Sequence, residues 1–194
     1  MNKFDDIFMA IKNDAENQLY TQAGIDPLYF VNPAAEIIII GQAPGKKAQA
    51  SQIVWHDQSG QRLRQWLAVS DDEFYHSGKF AILPMDFYFP GKGNSGDRPP
   101  RKNFAAKWHP QLIALMPQVR LIILVGTYAQ KYYLHLNSKQ TLTQVVRDYA
   151  KYQPKYFPIV HPSPMNQRWL KKNPWFEMDV IPNLQKLVRN ILGD

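Results

Sequence analysis

The sequence predicts a three-layer α/β/α sandwich around a central, mostly parallel four-stranded sheet, and three observations carry that prediction. Ile37-Ile38-Ile39-Ile40 is a run of four β-branched residues, apolar on both faces and too short for a helix, as a strand covered on both sides must be. Comparable runs recur at Phe80–Leu83, Val119–Val125 and Tyr156–Val160. Between them lie segments whose apolar residues repeat at helical spacing, and strands alternating with helices build parallel sheets with both faces covered. With 194 residues, 45% of them hydrophobic, and no repeat or linker, residues 1–194 read as a single domain.

In chain order, Phe4, Ile7, Phe8 and Ile11 mark an opening amphipathic helix. Pro27 and Pro33 frame a loop before the isoleucine strand. Ser59-Gly60 then precedes Leu63, Trp66 and Leu67, which suggests an N-cap at Ser59 ahead of a helix. Phe80–Leu83 is halted by Pro84. Phe89 to Lys102 is the longest irregular piece, and loops of that length in compact domains are usually functional or disordered. Trp108, Leu112 and Leu115 mark the next helix, Val119–Val125 the third strand, and Tyr128–Leu136 another helix. Leu142, Val145 and Val146 suggest a short one before the strand Tyr156–Val160. The apolar stripe from Val180 to Ile191 is a final helix. Pro182 fits its first turn if Asp179 is the cap, whereas a start nearer Trp175 requires a kink.

The formal charge of +7 favours an anionic partner, of which nucleic acid is the commonest for a basic enzyme. There are no cysteines, which excludes disulfides, a cysteine nucleophile and any thiolate-held zinc or iron–sulfur site. His56, His76, His109 and His135 have no metal-like spacing, so no metal or cofactor is expected. Acidic residues follow Met1 where a signal peptide needs a basic segment, and no window reaches the ~18 apolar residues of a membrane span. The expectation is a cytoplasmic monomer without membrane contact.

Chemistry concentrates at two turns. Gly41-Gln42-Ala43-Pro44-Gly45 follows the first strand and His161-Pro162-Ser163-Pro164 follows the last. In a parallel sheet both open on the carboxyl edge, where ligands of such sheets bind. The first turn lacks the third glycine of a dinucleotide fingerprint, and no Gly-Lys-Ser/Thr makes it a P-loop. There is no Gly-x-Ser-x-Gly elbow and no His-Glu-x-x-His.

As an ordered pair at strand ends, these turns resemble the uracil-DNA glycosylase superfamily, over about Glu36 to Leu192. The resemblance is nearest to the branch whose first motif reads Gly-Glu-Ala-Pro-Gly, in a cysteine-free group that lacks that branch's iron–sulfur cluster. It implies a uracil-DNA glycosylase-like fold and a monofunctional, metal-free glycosylase of base-excision repair. Its partner is then DNA carrying a damaged base. The resemblance also assigns places: Gly41, Gln42 and Ala43 to the cradle of an extruded base, Trp55 to the aromatic that stacks on it, and His161 to the histidine facing the base oxygen. Ser163, Met165 and Asn166 fall in the loop that wedges into DNA.

Those residue types suit the chemistry. Breaking an N-glycosidic bond leaves a sugar cation and a base anion, so a donor aimed at the base oxygen stabilises the transition state. Extruding a base costs a few kcal/mol, which a stacking platform and a wedge offset. Ala43 stands where the fastest branches carry Asp or Asn to place water, which leaves Asp57, then His56 or Asp86, as substitutes. Asp86 also falls near the place of the branch's base-reading Asn, and an ionised carboxylate there favours a base edge rich in N–H donors. Arg168, Lys171 and Lys172, interleaved with Trp169 and Trp175, suit backbone phosphates, as do Lys92, Arg98, Arg101 and Lys102. The loop Gly91–Pro100 holds no histidine, so covalent trapping of the base is not expected.

Plainer roles stand beside these. His161 and Trp55 can simply pack, Asp57 can cap a helix, and the cationic stretch can be a solvated face around two packed tryptophans. Rival functions are a catalytically weak DNA-binding or damage-sensing module and a hydrolase of free nucleosides or nucleotides.

Overall fold

The computed structural model describes residues 2–94 and 96–193. Its four strands are β1 (Ile37–Ile40), β2 (Phe80–Ile82), β3 (Leu121–Val125) and β4 (Tyr156–Ile159), paired in the order β2-β1-β3-β4 and all parallel. Ile37–Ile40 oppose Leu121–Leu124, and Ile122–Val125 oppose Tyr156–Ile159. Antiparallel bridging by Phe30 to Ile82 covers the outer side of β2. Pro158 sits in β4, the other edge, where a residue without an N–H is tolerated.

The helices among the described residues are α1 (Lys3–Asn13), α2 (Gln18–Gln22), α3 (Lys46–Ser51), α4 (Gln58–Leu67), α5 (Asp71–His76), α6 (Phe104–Ile113), α7 (Thr127–Tyr133), α8 (Leu142–Arg147), α9 (Gln167–Lys172) and α10 (Ile181–Leu192). Because strand side chains alternate, Ile37 and Ile39 face one helical layer and Ile38 and Ile40 the other. The first layer brings Leu63, Trp66 and Leu67 of α4 together with Leu184 and Val188 of α10. In the second, Ile11 of α1 and Phe104, Trp108 and Leu112 of α6 close over the opposite face. All four isoleucines of β1 are fully buried. At about 1.5–3 kcal/mol for each such side chain, β1 is a principal source of core stability. This is the α/β/α sandwich that the sequence predicts.

Several details differ from the sequence reading. Helix α4 begins at Gln58, with Asp57 as its cap: Asp57 Oδ1 accepts the Gly60 N–H at 2.9 Å, and Ser59 lies inside the first turn. A carboxylate is a strong acceptor for a free helix-end N–H, so Asp57 takes the role. Leu115 falls beyond the end of α6. At the carboxyl end, Phe176–Val180 winds as a π-helical turn that runs directly into α10, placing Pro182 in the first turn of that helix. The wider turn accommodates a residue that has no N–H to donate. In the irregular stretch after Phe89, Gly93 N–H donates to Gly96 O at 2.8 Å and Arg98 N–H to Gly91 O at 2.9 Å, closing a small hairpin. Gly91 and Gly96 take φ of +90° and +92°, a region that a residue without Cβ enters freely. Ser95, within this hairpin, lies outside the described residues. No helix among the described residues is long and apolar enough to cross a membrane.

Candidate active site

Parallel pairing brings the exits of β1, β3 and β4 to one edge, and three separate segments meet there. A Cβ on Gly41 would lie 3.2 Å from Trp55 Cζ2, so the indole packs directly on the backbone of the first turn. The Trp55 ring centroid is 5.4 Å from that of His161, at 37° between planes. Gly41, Trp55 and His161, far apart in sequence, thus form one mouth.

Trp55 is held in a costly conformation. Its φ of +54° is in the left-handed region, which costs an L residue about 1–2 kcal/mol. Three contacts offset this. Arg64 Nη1 donates to Trp55 O at 3.0 Å, Tyr75 Oη donates to Val54 O at 2.8 Å, and Gly60 lets the Trp55 carbonyl approach α4 closely. Arg64 is itself buried, paired through Nε with Asp71 at 2.6 Å and stacked over Phe74 and Tyr75. Sequence reading missed Arg64 and Tyr75, whose partners lie seven to 21 positions away and leave no local pattern.

His161 is oriented by its own turn. Ser163 N–H donates to His161 Nδ1 at 3.1 Å, which makes Nδ1 the acceptor and leaves the ring proton on Nε2. Burial lowers the imidazole pKa below its ordinary value, with the negative charges of Asp57 and Asp97 opposing the shift. A ring shifted in that direction is neutral at pH 7 and presents Nε2–H as a donor. Asn166 Nδ2 donates to His161 O at 2.8 Å, so its amide closes the turn inward. Ser163 Oγ accepts the Met165 N–H at 3.2 Å, and Met165 itself is 88% exposed at the tip. Beneath the turn, Gln130 Nε2 donates to Leu124 O at 3.2 Å and Ile159 O at 2.8 Å, tying the ends of β3 and β4 together. Gln130 and Asp97 are further residues of this edge that the sequence reading did not single out.

In the first turn, Gly41 O and Gln42 O accept the N–H groups of Met85 and Asp86 at 2.9 and 3.2 Å. Gln42 Nε2 donates to Arg98 O at 2.9 Å and so pins the hairpin to the mouth. Ala43 brings no polar side chain. Asp57 is exposed near His161, with Oδ1 engaged by Gly60 N–H.

Asp86 does not read a ligand. It is fully buried, and its carboxylate accepts four hydrogen bonds: Tyr88 N–H and Arg101 Nη2 on Oδ1, Arg101 N–H and Arg101 Nε on Oδ2. That saturates its lone pairs. Arg101 is equally committed, since Nη1 donates to Glu16 O and Asn17 Oδ1 and the guanidinium lies 4.5 Å from the Phe104 ring centroid. Lys92 pairs with Asp97 at 2.6 Å, and Arg98 Nε donates to Lys92 O. Of that predicted phosphate cluster, three members therefore serve the loop's own structure. Arg168, Lys171 and Lys172 are exposed on α9 without an ion pair among the described residues, while Trp169 and Trp175 pack against Phe176.

Among the described residues no group of three or more His, Cys, Asp or Glu side chains is placed to hold a metal ion. The sequence has no cysteine, so no thiolate is present to ligate a metal or an iron–sulfur cluster.

A solution NMR structure from Methanosarcina acetivorans, described as a candidate uracil DNA glycosylase, is similar at 15% identity with a TM-score of 0.48, covering 83% of this chain and 98% of that one. The family model of the uracil DNA glycosylase superfamily matches residues 28–185, a span that begins ahead of β1 and ends within α10. It therefore takes in the whole sheet and every segment of the mouth, and the chain belongs to the uracil DNA glycosylase superfamily.

Proposed function

We propose that this protein is a monofunctional DNA glycosylase that holds an extruded base at the mouth formed by Gly41, Trp55 and His161 and hydrolyses its N-glycosidic bond. Family membership supports a glycosylase-type function acting on DNA. The observation that carries the finer reading is the meeting of Gly41, Trp55 and His161 at the carboxyl edge of the sheet. An indole packed against the Gly41 backbone presents its remaining apolar face to a flat heterocycle. When the C1′–N bond breaks, its electron pair leaves with the base and negative charge grows on the base oxygen. A neutral His161 at the mouth, with its ring proton on Nε2, stabilises that charge by donating to it without first losing a proton. Water then adds to the sugar cation and gives up a proton. Asp57, whose charge acts on His161, is the carboxylate candidate for this last step, with one oxygen committed to the cap of α4. Ser163, Met165 and Asn166 form the loop expected to enter the duplex, with Met165 at its apolar tip. Arg168, Lys171 and Lys172 flank it as phosphate contacts.

With Asp86 saturated, base selection falls to backbone groups of the first turn. The substrate class is therefore uracil or another deaminated or altered base. The test is a panel of duplex and single-stranded oligonucleotides carrying uracil, hypoxanthine or xanthine, each treated with alkali to reveal abasic sites. Cleavage after incubation with wild-type protein is expected, and His161→Ala should slow single-turnover excision ~100-fold or more, the worth of one transition-state donor. No cut strand from any substrate would refute catalysis. Ala43 favours one alternative, a damage-sensing module, which instead gives lesion-selective binding with no alkali-labile product.

A further inference from the structure

The outer face of α4 carries a stripe that the proposed chemistry does not use. Gln58, Gln61, Arg62 and Gln65 lie at i, i+3, i+4 and i+7, on one side of the helix, opposite the buried Leu63 and Leu67. With Pro164 of the His161 turn they line a cavity of about 330 Å³. Its lining is three carboxamides, one guanidinium and a proline ring, with no carboxylate.

The guanidinium is only half satisfied. Arg62 Nη2 donates to Gln167 Oε1 at 3.2 Å, a contact from α4 to the first residue of α9. Arg62 Nη1 is screened from solvent and has no acceptor among the described residues. An arginine with an unpaired N–H donor on the wall of a carboxylate-free cavity suits an incoming oxyanion once its flexible side chain turns that donor outward, and the guanidinium fork matches phosphate oxygens. The glutamine amides around it add neutral donors at no charge cost.

Position selects the kind of anion. One wall of the cavity is the helix that begins three residues after Trp55, and the other is the turn whose tip is the exposed Met165. Because the cavity shares Pro164 with the His161 turn and α4 with the Trp55 segment, it adjoins the mouth on the side where a strand presenting its base there can run. We propose that Arg62 and the surrounding glutamines form a phosphodiester subsite that grips one backbone phosphate of the lesion-bearing strand. The proposal rests on the DNA glycosylase reading and adds a residue that fixes the strand's register.

The test uses the full chain and a short duplex bearing a tetrahydrofuran abasic analogue, with affinity measured across a salt series. Arg62→Gln, which keeps helix propensity, should weaken binding about tenfold at low salt, as loss of one charge-assisted hydrogen bond does. It should also reduce the slope of log K against log salt by about 0.9, the signature of one phosphate contact. Arg62→Lys should restore the slope while recovering only part of the affinity, because a point charge replaces a fork. A wild-type slope and affinity in Arg62→Gln would overturn the subsite, and so would equal behaviour of the Lys and Gln variants. In a second arm, inorganic phosphate is titrated while the Arg62 Nε–H resonance is followed. If phosphate shifts that resonance but Arg62→Gln binds the duplex normally, the cavity takes free anions only and the proposal fails. If the wild-type protein neither binds nor cuts any duplex, the glycosylase reading fails with it. A wild type that cuts alongside an unaffected Arg62→Gln removes the subsite alone.

Discussion

Gly60→Ala sets two effects of opposite sign against each other at one atom. Gly60 is a helical residue of α4, and on propensity alone alanine there should stabilise the protein by about 0.5–1 kcal/mol. The packing says otherwise. A Cβ at this position would lie 1.6 Å from Trp55 O, 2.3 Å from Trp55 C and 2.9 Å from Trp55 Cα. These are backbone atoms, so no side-chain rotation relieves the overlap, and the Trp55 peptide must retreat by roughly 1.5 Å to reach ordinary contact. Retreat breaks the 3.0 Å bond from Arg64, worth about 1.5–3 kcal/mol for a charged donor, and overpacking adds about 1–3 kcal/mol. Repulsion wins, for a net loss of about 1.5–5.5 kcal/mol, or roughly 3–20 °C in Tm for a chain of this size. The Trp55 ring moves with its peptide, and a displacement above 1 Å at a positioning group costs on the order of 100-fold in rate. Thermal unfolding and single-turnover excision on whichever lesion the wild type cuts are the assays. Gly45→Ala is the comparison, since a Cβ there meets nothing within 4 Å, and it should lose less than about 1 kcal/mol. A Gly60→Ala protein as stable and as active as wild type would show that the Trp55 platform is not held against α4 in the way described.

Two further outcomes follow from the same contacts. Asp57→Asn keeps an oxygen to cap α4 while removing the charge, so stability should change by less than about 1 kcal/mol; excision falling at least tenfold would support its role in activating water, and an unchanged rate would remove Asp57 from it. His109 tests a pH dependence of stability. It is buried between Tyr133 Oη at 2.6 Å and Pro84 O at 2.9 Å, and burial depresses its pKa to about 4 from 6.5. The unfolded chain therefore binds the proton more readily than the folded one, so the contribution of His109 is complete above pH 6.5 and is lost as pH falls through about 4. Urea unfolding at a series of pH values should show a decline of up to about 3 kcal/mol across that window, and His109→Gln should flatten it. An identical decline in the variant would assign it to other groups.

What the sequence made legible is what local pattern encodes. Four β-branched residues in a row can only be a buried strand here, and a turn after it paired with His161-Pro162-Ser163-Pro164 is a statement about order along the chain, so sheet and mouth both emerged. Asp86 could not be read the same way. Its position after β2 suggested a ligand contact, but its partner Arg101 reaches it across an irregular loop and is itself anchored by Asn17, 84 positions away. Sequence alone does not separate Ser59 from Asp57 as the cap of α4, because both residue types cap helices and the choices lie only two positions apart. The short helices α3 and α9 carry few apolar residues, so no periodicity announces them; α5 had a signal in its Ser70 and Glu73 capping box, which went unused. Arg62, Arg64 and Gln130 all act through contacts between distant segments, which composition and spacing do not record.

Pro158 bears on a different matter, how this sheet meets other molecules. Ile122 N–H donates to Lys155 O and Gly126 N–H to Ile159 O, so Lys155, Phe157 and Ile159 direct their backbone groups toward β3, and the alternate residues Tyr156 and Pro158 direct theirs outward. The outward row of β4 thus lacks a donor at Pro158, midway along the place where an added strand would have to bond. Phe30 already occupies the row outside β2. Both margins are therefore poor templates for another extended chain, and a protein with four largely apolar strands is guarded against stacking into sheets with its own copies.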